Sequence, residues 1–547
     1  MINRLFILKM FITKITKARV FINKTKSCDE VQLKLLRKII NHNAETKFGK
    51  DNNFAEIKNY EEYASKLPIR EYDDFKPYIL EQAENQDTRA IVNDKILFFN
   101  KTSGTTSEPK LIPVTKTSLK GLQKSQSLMI YYQYLNQKNA FVGKAVGIAS
   151  PAEEEISKDG IPIGAASGHF YKSVSKMVRK KYVLPYEVFE IEDYELKYFI
   201  IGLFCLMNKN ISYFATANPT TILKIIETIN SNKKQLLKDL NSGIIQHLKK
   251  EKSNHVDLIN GFIKIDETRL SELKALFNQD EKIEFKDLWP DLKLVGTWTG
   301  GSCGIALKAL IATMPNDVTS MDLGFVASEV RGTVVINEST QGGIPTYQDN
   351  FFEFIEKEDF EKGERHFLML HELELGKEYY VVVTTQAGLY RYHMNDIMKV
   401  VDFKNKCPVL CFIQKGKGVC NITGEKLYEG QLLHAIAELN LNTCFVQVVG
   451  DEQKVQYEMY AEFEEENVNI QDLQSKLDKL LCEQNNEYME KRKSNRLKPI
   501  QVSILKEGTY EIVKRRAVEK GQREGQYKPV LLQLKSEAML DLSNYVK

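Results

Sequence analysis

The chain has 547 residues, 43% hydrophobic, 27% charged and 10% aromatic, with 30 Gly and 14 Pro; this is ordinary globular usage and excludes collagen-like and disordered chains. At about 100–200 residues per domain it holds about three to five domain equivalents, or one large α/β body with an appendage. The formal charge is only +3, so the balance by itself calls for neither nucleic acid nor a membrane.

That charge is unevenly spread. Residues 1–27 carry Arg4, Lys9, Lys14, Lys17, Arg19, Lys24 and Lys26 and no acid; residues 491–528 carry twelve basic and four acidic side chains, which leaves the remainder at −12. Residues 1–21 are basic and amphipathic enough to resemble a transit peptide or an interfacial helix. A first helix lying on the domain surface is the favoured reading, because helical pattern continues through residues 31–49. Residues 28–85 read as helices punctuated by Gly49, Pro68 and Pro77, with Leu33, Leu35, Leu36, Ile39 and Ile40 at helical spacing. KILFFN, residues 95–100, is a buried strand running into a loop of Ser, Thr and Gly. Residues 119–290 alternate helical stretches with short strands such as 210–218, and Asn218 followed by Pro219 marks a helix start. Strand-rich blocks at 292–304, 324–337 and 378–403 are joined by glycines. Mixed strands and helices predict an α/β sheet enzyme whose ligands bind where strands run into loops.

Beyond a Gly/Lys-rich connector at 415–430, the spacing predicts a helix over 431–439, strands over 443–450 and 456–463, a helix over 470–482 and a strand over 500–505. The expected division is a large domain 1–422, a hinge 423–431 and a small domain 432–547. The longest apolar run, 198–207, is far short of the roughly 20 residues a bilayer requires. Eight scattered cysteines, with no CxxC pair, predict buried thiols in a reducing compartment. The cytoplasm is the expected location, with a membrane surface or organelle left open by the basic N-terminus.

Chemistry first appears in KTSGTTSEPKLIP, residues 101–113. Such a loop after a strand offers hydroxyls and backbone N–H groups to polyphosphate; a plain Ser/Thr-rich turn is the alternative. GxxxxGK[ST] is absent, which excludes a P-loop NTPase. GGSCG, residues 300–304, has the GxSxG spacing at Ser302, but that pattern alone is a weak signal and a serine or cysteine hydrolase is not the expected reading; Cys303 reads as a small packing residue.

TSGTTSEPK resembles the phosphate-loop motif TSGTTGxPK of adenylate-forming enzymes, with Ser107 for the last glycine. Blocks at 43–54, 103–113, 297–302 (TWTGGS), 325–329 (FVASE), 376–396, 423–426 (TGEK) and 525–528 (GQYK) resemble, in the same order, the auxin-responsive Gretchen Hagen family of acyl acid amido synthetases, especially its microbial members. The resemblance implies a large mixed-sheet, adenylate-forming N-terminal domain and a smaller mobile α+β C-terminal domain. It also implies an ATP-dependent ligase using Mg²⁺: a small carboxylic acid attacks the α-phosphorus to give an acyl-adenylate, and an amine, typically of an amino acid, takes the acyl group. An acyl ligase using coenzyme A or another acceptor, and a catalytically weakened ATP-binding scaffold, are the alternatives.

The site residues it implies are Thr102, Ser103, Gly104 and Thr105 of the loop, Phe325, Ala327, Ser328 and Glu329 of FVASE, Asp396, Lys426 and Lys528, all at the nucleotide. Glu329 is the expected Mg²⁺ ligand, or else a partner of Arg331. Asp396 would accept from both ribose hydroxyls. Lys528, with Glu329, is the expected catalytic residue, bringing an ammonium to the α-phosphate. Thr299, Gly300 and Gly301, with residues 167–172, would wall the acid pocket. Phe325, and Phe351 or Phe352, lie against adenine or in the core. The family pattern YRYRxGD is altered at His393, which is given no role, and at Asn395, which tolerates the glycine's left-handed turn. Lys415 stands where related enzymes have a hinge arginine.

Overall fold

The computed structural model describes residues 2–101, 110–174, 176–245, 255–279, 281–300, 302–338, 341–416, 419–423, 425–463, 468–520, 522 and 527–547. Lys144–Gly147, Ile211–Ala215, Leu294–Thr297 and Thr319–Asp322 form one sheet in that order, every neighbouring pair parallel. Ile211–Ala215 and Leu294–Thr297 are buried almost throughout, as central strands covered on both faces must be. The helix Pro219–Ser231 starts as the sequence predicts, with the Asn218 side chain accepting from the Thr220 N–H at 2.9 Å. Beside it runs the apolar helix Tyr194–Leu206, which accounts for the run at 198–207 as buried core.

In a second sheet Ile96–Lys101, the predicted KILFFN strand, pairs antiparallel with Leu111–Thr115 and parallel with Pro162–Gly164. A third is antiparallel, in the order Leu368–Met369, Asn350–Glu356, Glu378–Thr385, Tyr392–Lys404, Cys407–Lys415. Arg391 enters its long strand with φ 49°. Its guanidinium donates to both Glu353 oxygens at 2.8 and 3.1 Å and to the carbonyls of Ala64 and Leu67. A buried charge is tolerated only when satisfied in this way, and the pair fixes the strand that carries Tyr392 to Asp396.

Four helices, Cys28–His42, Lys47–Asp51, Tyr60–Lys66 and Tyr72–Glu84, fill the stretch expected to be helical. Pro68 separates two of them, but Pro77 lies inside Tyr72–Glu84. The Glu71 N–H donating to Asp74 at 2.9 Å and the buried Phe75 and Ile79 outweigh the one backbone bond proline forfeits. Gly49 likewise sits within Lys47–Asp51, where a Cβ would lie 2.1 Å from the Asn43 carbonyl oxygen.

Glu429–Glu438, Thr443–Asp451, Gln456–Phe463, Ile470–Gln484 and Gln501–Ile504 match the elements expected after the connector. Side chains from Cys420 to Leu534 pack into a cluster of their own. Asn486–Lys493, Thr509–Glu519 and Leu532–Leu534 were not expected: the two helices are too charged to show an apolar stripe, and the strand has three residues. At the other end, Ile2–Thr13, a π-helical turn Lys14–Ala18 and Arg19–Lys24 run on as one rod, packed on the helix Lys116–Asn136. Among the described residues no helix is long and apolar enough to cross a membrane. All eight cysteines are free.

Candidate active site

A cavity of about 1330 Å³ opens where the four parallel strands end. Ile148, Thr216, Trp298 and Leu323, each just past one strand, line it, and Tyr527, Lys528 and Pro529 of the C-terminal unit supply a facing wall. Open α/β sheets hold ligands at this end because strand ends and loops converge there without a core to fill the space.

The turn carrying Ser328 and Glu329 is held from two sides. The Ala327 N–H donates to the Val330 carbonyl at 2.8 Å. Asn100, delivered by the end of Ile96–Lys101, donates to the Ser328 carbonyl at 3.0 Å and accepts from the Ala166 N–H at 3.1 Å. The Tyr392 hydroxyl donates to Glu329 at 3.1 Å and accepts from Lys110 at 3.1 Å. Lys110 also lies over the rings of Tyr72 and Tyr392, at 5.5 and 5.7 Å. Burial, then the Glu329 carboxylate, pushes the Tyr392 hydroxyl far above its ordinary range, so it remains a fixed donor; burial pushes Tyr72 up to about 12. The alternative pairing of Glu329 with Arg331 does not occur among these contacts.

Asp396 is buried and lines the same cavity, four residues along the strand from Tyr392. Asn395 before it has φ 54°, the left-handed turn expected of it, and its carbonyl accepts from the Gly416 N–H at 2.8 Å. His393 stacks on Phe360 with ring centres 5.0 Å apart. The Lys528 ammonium lies 3.9 Å from the centre of the Trp298 ring and 4.9 Å from that of Phe412. Phe412 in turn is parallel to Phe325, at 6.1 Å. Aromatic faces hold a cation without neutralising it, and Asn218 fastens the segment by donating to the Tyr527 carbonyl at 2.5 Å.

Phe325, Ala327, Ser328, Glu329, Asp396, Lys528, Thr299 and Gly300 thus share one cavity, whose wall also includes Ser167 and Phe170. Thr102, Ser103, Gly104, Thr105, Ser107, Gly301 and the side chain of Lys415 lie outside the described residues. Phe351 and Phe352 are core residues, packed in the five-stranded sheet and absent from the cavity wall. Lys426 is not brought to the cavity: it is exposed with φ 40°. Its neighbour Glu425 turns inward instead and accepts from the Ile422 and Thr423 N–H groups, both at 2.8 Å. Cys303 reaches the wall, but burial pushes its thiol up to about 11 despite the nearby Lys528, which leaves it a poor nucleophile at neutral pH.

Two charged cavity residues, Lys110 and Arg331, were given no ligand role from the sequence. Lys110 closes the TSGTTSEPK motif, so its signal was present. Arg331 carried none beyond its proximity to Glu329. Its guanidinium donates to Gln126 at 2.9 Å, to the Met129 sulfur at 2.7 Å and to the Leu323 carbonyl at 3.5 Å, and among the described residues its Nε has no partner. Among the described residues no carboxylate pairs with it; burial lowers its pKa to about 10, so it is still a cation at neutral pH.

Comparison with known proteins gives the family. The GH3 family N-terminal domain matches residues 17–318, the GH3 family central domain 343–415 and the GH3 family C-terminal domain 429–537. The chain belongs to the GH3 family. Among GH3 proteins, the indole-3-acetic acid-amido synthetase GH3.3 of Arabidopsis thaliana is 23% identical to it, covering 94% of this chain and 91% of its own. The 4-substituted benzoates-glutamate ligase GH3.12 of the same plant is 23% identical over 92% of each. The solved GH3.15 acyl acid amido synthetase shares the fold, with a TM-score of 0.83 and 20% identity over 96% of each chain. This GH3 chain is an enzyme of the acyl acid amido synthetase class, a ligase joining an acid to an amine.

Proposed function

We propose that the cavity binds ATP and a small carboxylic acid, forms an acyl-adenylate and passes the acyl group to an amino acid. The observation that carries this is the meeting of Glu329, Asp396 and Lys528 in one cavity, although 67 and 132 residues separate them in turn along the chain. In the first step a carboxylate oxygen of the acid bonds to the α-phosphorus as the bond to the bridging oxygen breaks and pyrophosphate leaves. Lys528 stabilises the negative charge that is redistributed there. In the second, the amine nitrogen bonds to the acyl carbon, the carbon–oxygen bond to phosphate breaks, AMP leaves and the amine proton passes to solvent.

Asp396 orients the nucleotide by accepting from the ribose hydroxyls, with Phe325 beside the base. Glu329 is the Mg²⁺ ligand. It is the only carboxylate of the SE turn, held by one hydroxyl at Oε1, which suits a cation that takes one carboxylate and otherwise phosphate oxygens and water. Mg²⁺ would neutralise the phosphate charge. Lys110 belongs with the phosphates, and the loop Thr102 to Thr105 would add backbone donors. The domain division 1–422, 423–431 and 432–547 fits a C-terminal unit that carries Lys528 and moves between half-reactions.

Arg331 narrows the acid. A buried guanidinium without a carboxylate partner among the described residues, at a ligand cavity, favours an acid with a second anionic group. The test is AMP release from ATP and Mg²⁺ across a panel of mono- and dicarboxylic acids, with an amino acid mixture or coenzyme A as acceptor and mass spectrometry of the product. Amides are expected. AMP release that needs coenzyme A and yields thioesters would contradict the amine acceptor.

A further inference from the structure

The N-terminal rod shows two unlike faces. Phe6, Met10, Thr13, Ala18 and Phe21 turn inward: Phe6 stacks on Phe141 at 5.2 Å and meets Tyr134 at 5.7 Å, and Lys17 donates to Ser127 on the underlying helix at 2.9 Å. The opposite side is apolar as well. Leu8, Phe11, Ile12 and Ile15 are 53, 58, 51 and 49% exposed, with Leu5 and Ile7 beside them. Leu5, Leu8, Ile12 and Ile15 recur at intervals of three and four, which on a helix is one stripe. A contiguous exposed apolar patch of this kind is unusual on a free surface.

The charge around the stripe has one sign. Arg4, Lys9, Lys14, Arg19 and Lys24 are exposed, and the rod also packs on the short helix Lys176–Arg179, so exposed Arg179 and Lys180 are close by. Among the described residues none of these seven forms an ion pair with a carboxylate. The residues matching the family's N-terminal domain begin at 17, so the stripe precedes them.

We propose that this face docks on a lipid bilayer containing anionic head groups, with the rod lying in the plane of the interface. Apolar side chains ringed by lysine and arginine are what such an interface takes: the stripe enters the acyl boundary while the cations meet the head groups. A second copy of the chain fits worse, because pairing two such faces sets like charges together. Inward anchoring through Phe6 and Met10 makes the rod part of the folded body, so docking brings the whole enzyme to the surface.

The test is co-sedimentation of the full chain with vesicles of phosphatidylcholine alone and of phosphatidylcholine with about a quarter phosphatidylglycerol. Binding to the anionic vesicles should be about tenfold stronger or more, and should fall as salt is raised. Phe11→Glu with Ile12→Glu, and separately Lys9→Glu with Lys14→Glu, should each weaken that binding about tenfold, at unchanged thermal midpoint and AMP release. Equal binding to both vesicles, no binding to either, or undiminished binding by both variants would overturn the proposal. So would a dimer seen without vesicles that the Phe11→Glu, Ile12→Glu variant lacks, which would assign the face to a second copy.

Discussion

The Lys528 ammonium lies on the cavity wall, 3.9 Å from the centre of the Trp298 ring and 4.9 Å from that of Phe412, where it can meet a phosphate. Lys528→Ala should therefore slow adenylation about a hundredfold or more while ATP binding, measured by calorimetry, stays within about threefold. A collapse of binding instead would make Lys528 an anchor of the ground state. Arg331 invites a different substitution. Arg331→Met keeps the volume and removes the charge, so kcat/KM for dicarboxylic acids should fall about tenfold to a hundredfold while that for monocarboxylic acids holds; an equal loss for both would assign Arg331 to folding. Cys303→Ala should leave the rate within about threefold, since a thiol whose pKa is pushed up to about 11 stays protonated at neutral pH. Complete inactivation with the fold intact would assign it a nucleophilic role.

Among the elements, the helix Pro219–Ser231 links the parallel sheet to the C-terminal unit. Its cap, Asn218, accepts from Thr220 and donates to the Tyr527 carbonyl, while the Tyr510 hydroxyl donates to Thr220 at 2.6 Å. Asn218→Ala removes the cap and strands a buried carbonyl next to Lys528, so it should cost about 1–2 kcal/mol of stability by denaturant unfolding and lower the adenylation rate together with it. A loss of stability at full rate would show that Lys528 is positioned by other contacts. The cap was legible in the sequence because Asn followed by Pro is a local signal. Its contact with Tyr527, 309 residues away, was not, because nothing local specifies which loop meets a helix end. The same division separates the strand at 95–100, read from its apolar run, from the duty of Asn100, which clamps the SE turn only after two distant segments meet. Thr509–Glu519 escaped for another reason: its helix buries Tyr510, Val513, Lys514 and Ala517 under a charged exterior, so the apolar period is diluted.

For the whole molecule, ordered motifs gave the family and the cavity's Glu329, Asp396 and Lys528, since each motif keeps its own chemistry wherever the chain carries it. Arg331 stayed unread as a cavity residue because it lies outside the motifs and its contact with Gln126 forms only in the fold. Lys426 was read as a nucleotide ligand from TGEK, whereas the inward place is taken by Glu425. The uneven charge is now partly resolved: the basic stretch ending at Lys528 belongs to the unit facing a cavity that holds Glu329, Asp322 and Asp396, and the basic N-terminus surrounds an apolar stripe. The most direct measurement is exchange of labelled pyrophosphate into ATP across a panel of carboxylic acids, without any amine. The proposed chemistry predicts exchange that requires an acid, requires Mg²⁺ and is strongest for dicarboxylic acids. ATP binding with no exchange for any acid would contradict adenylation by this cavity.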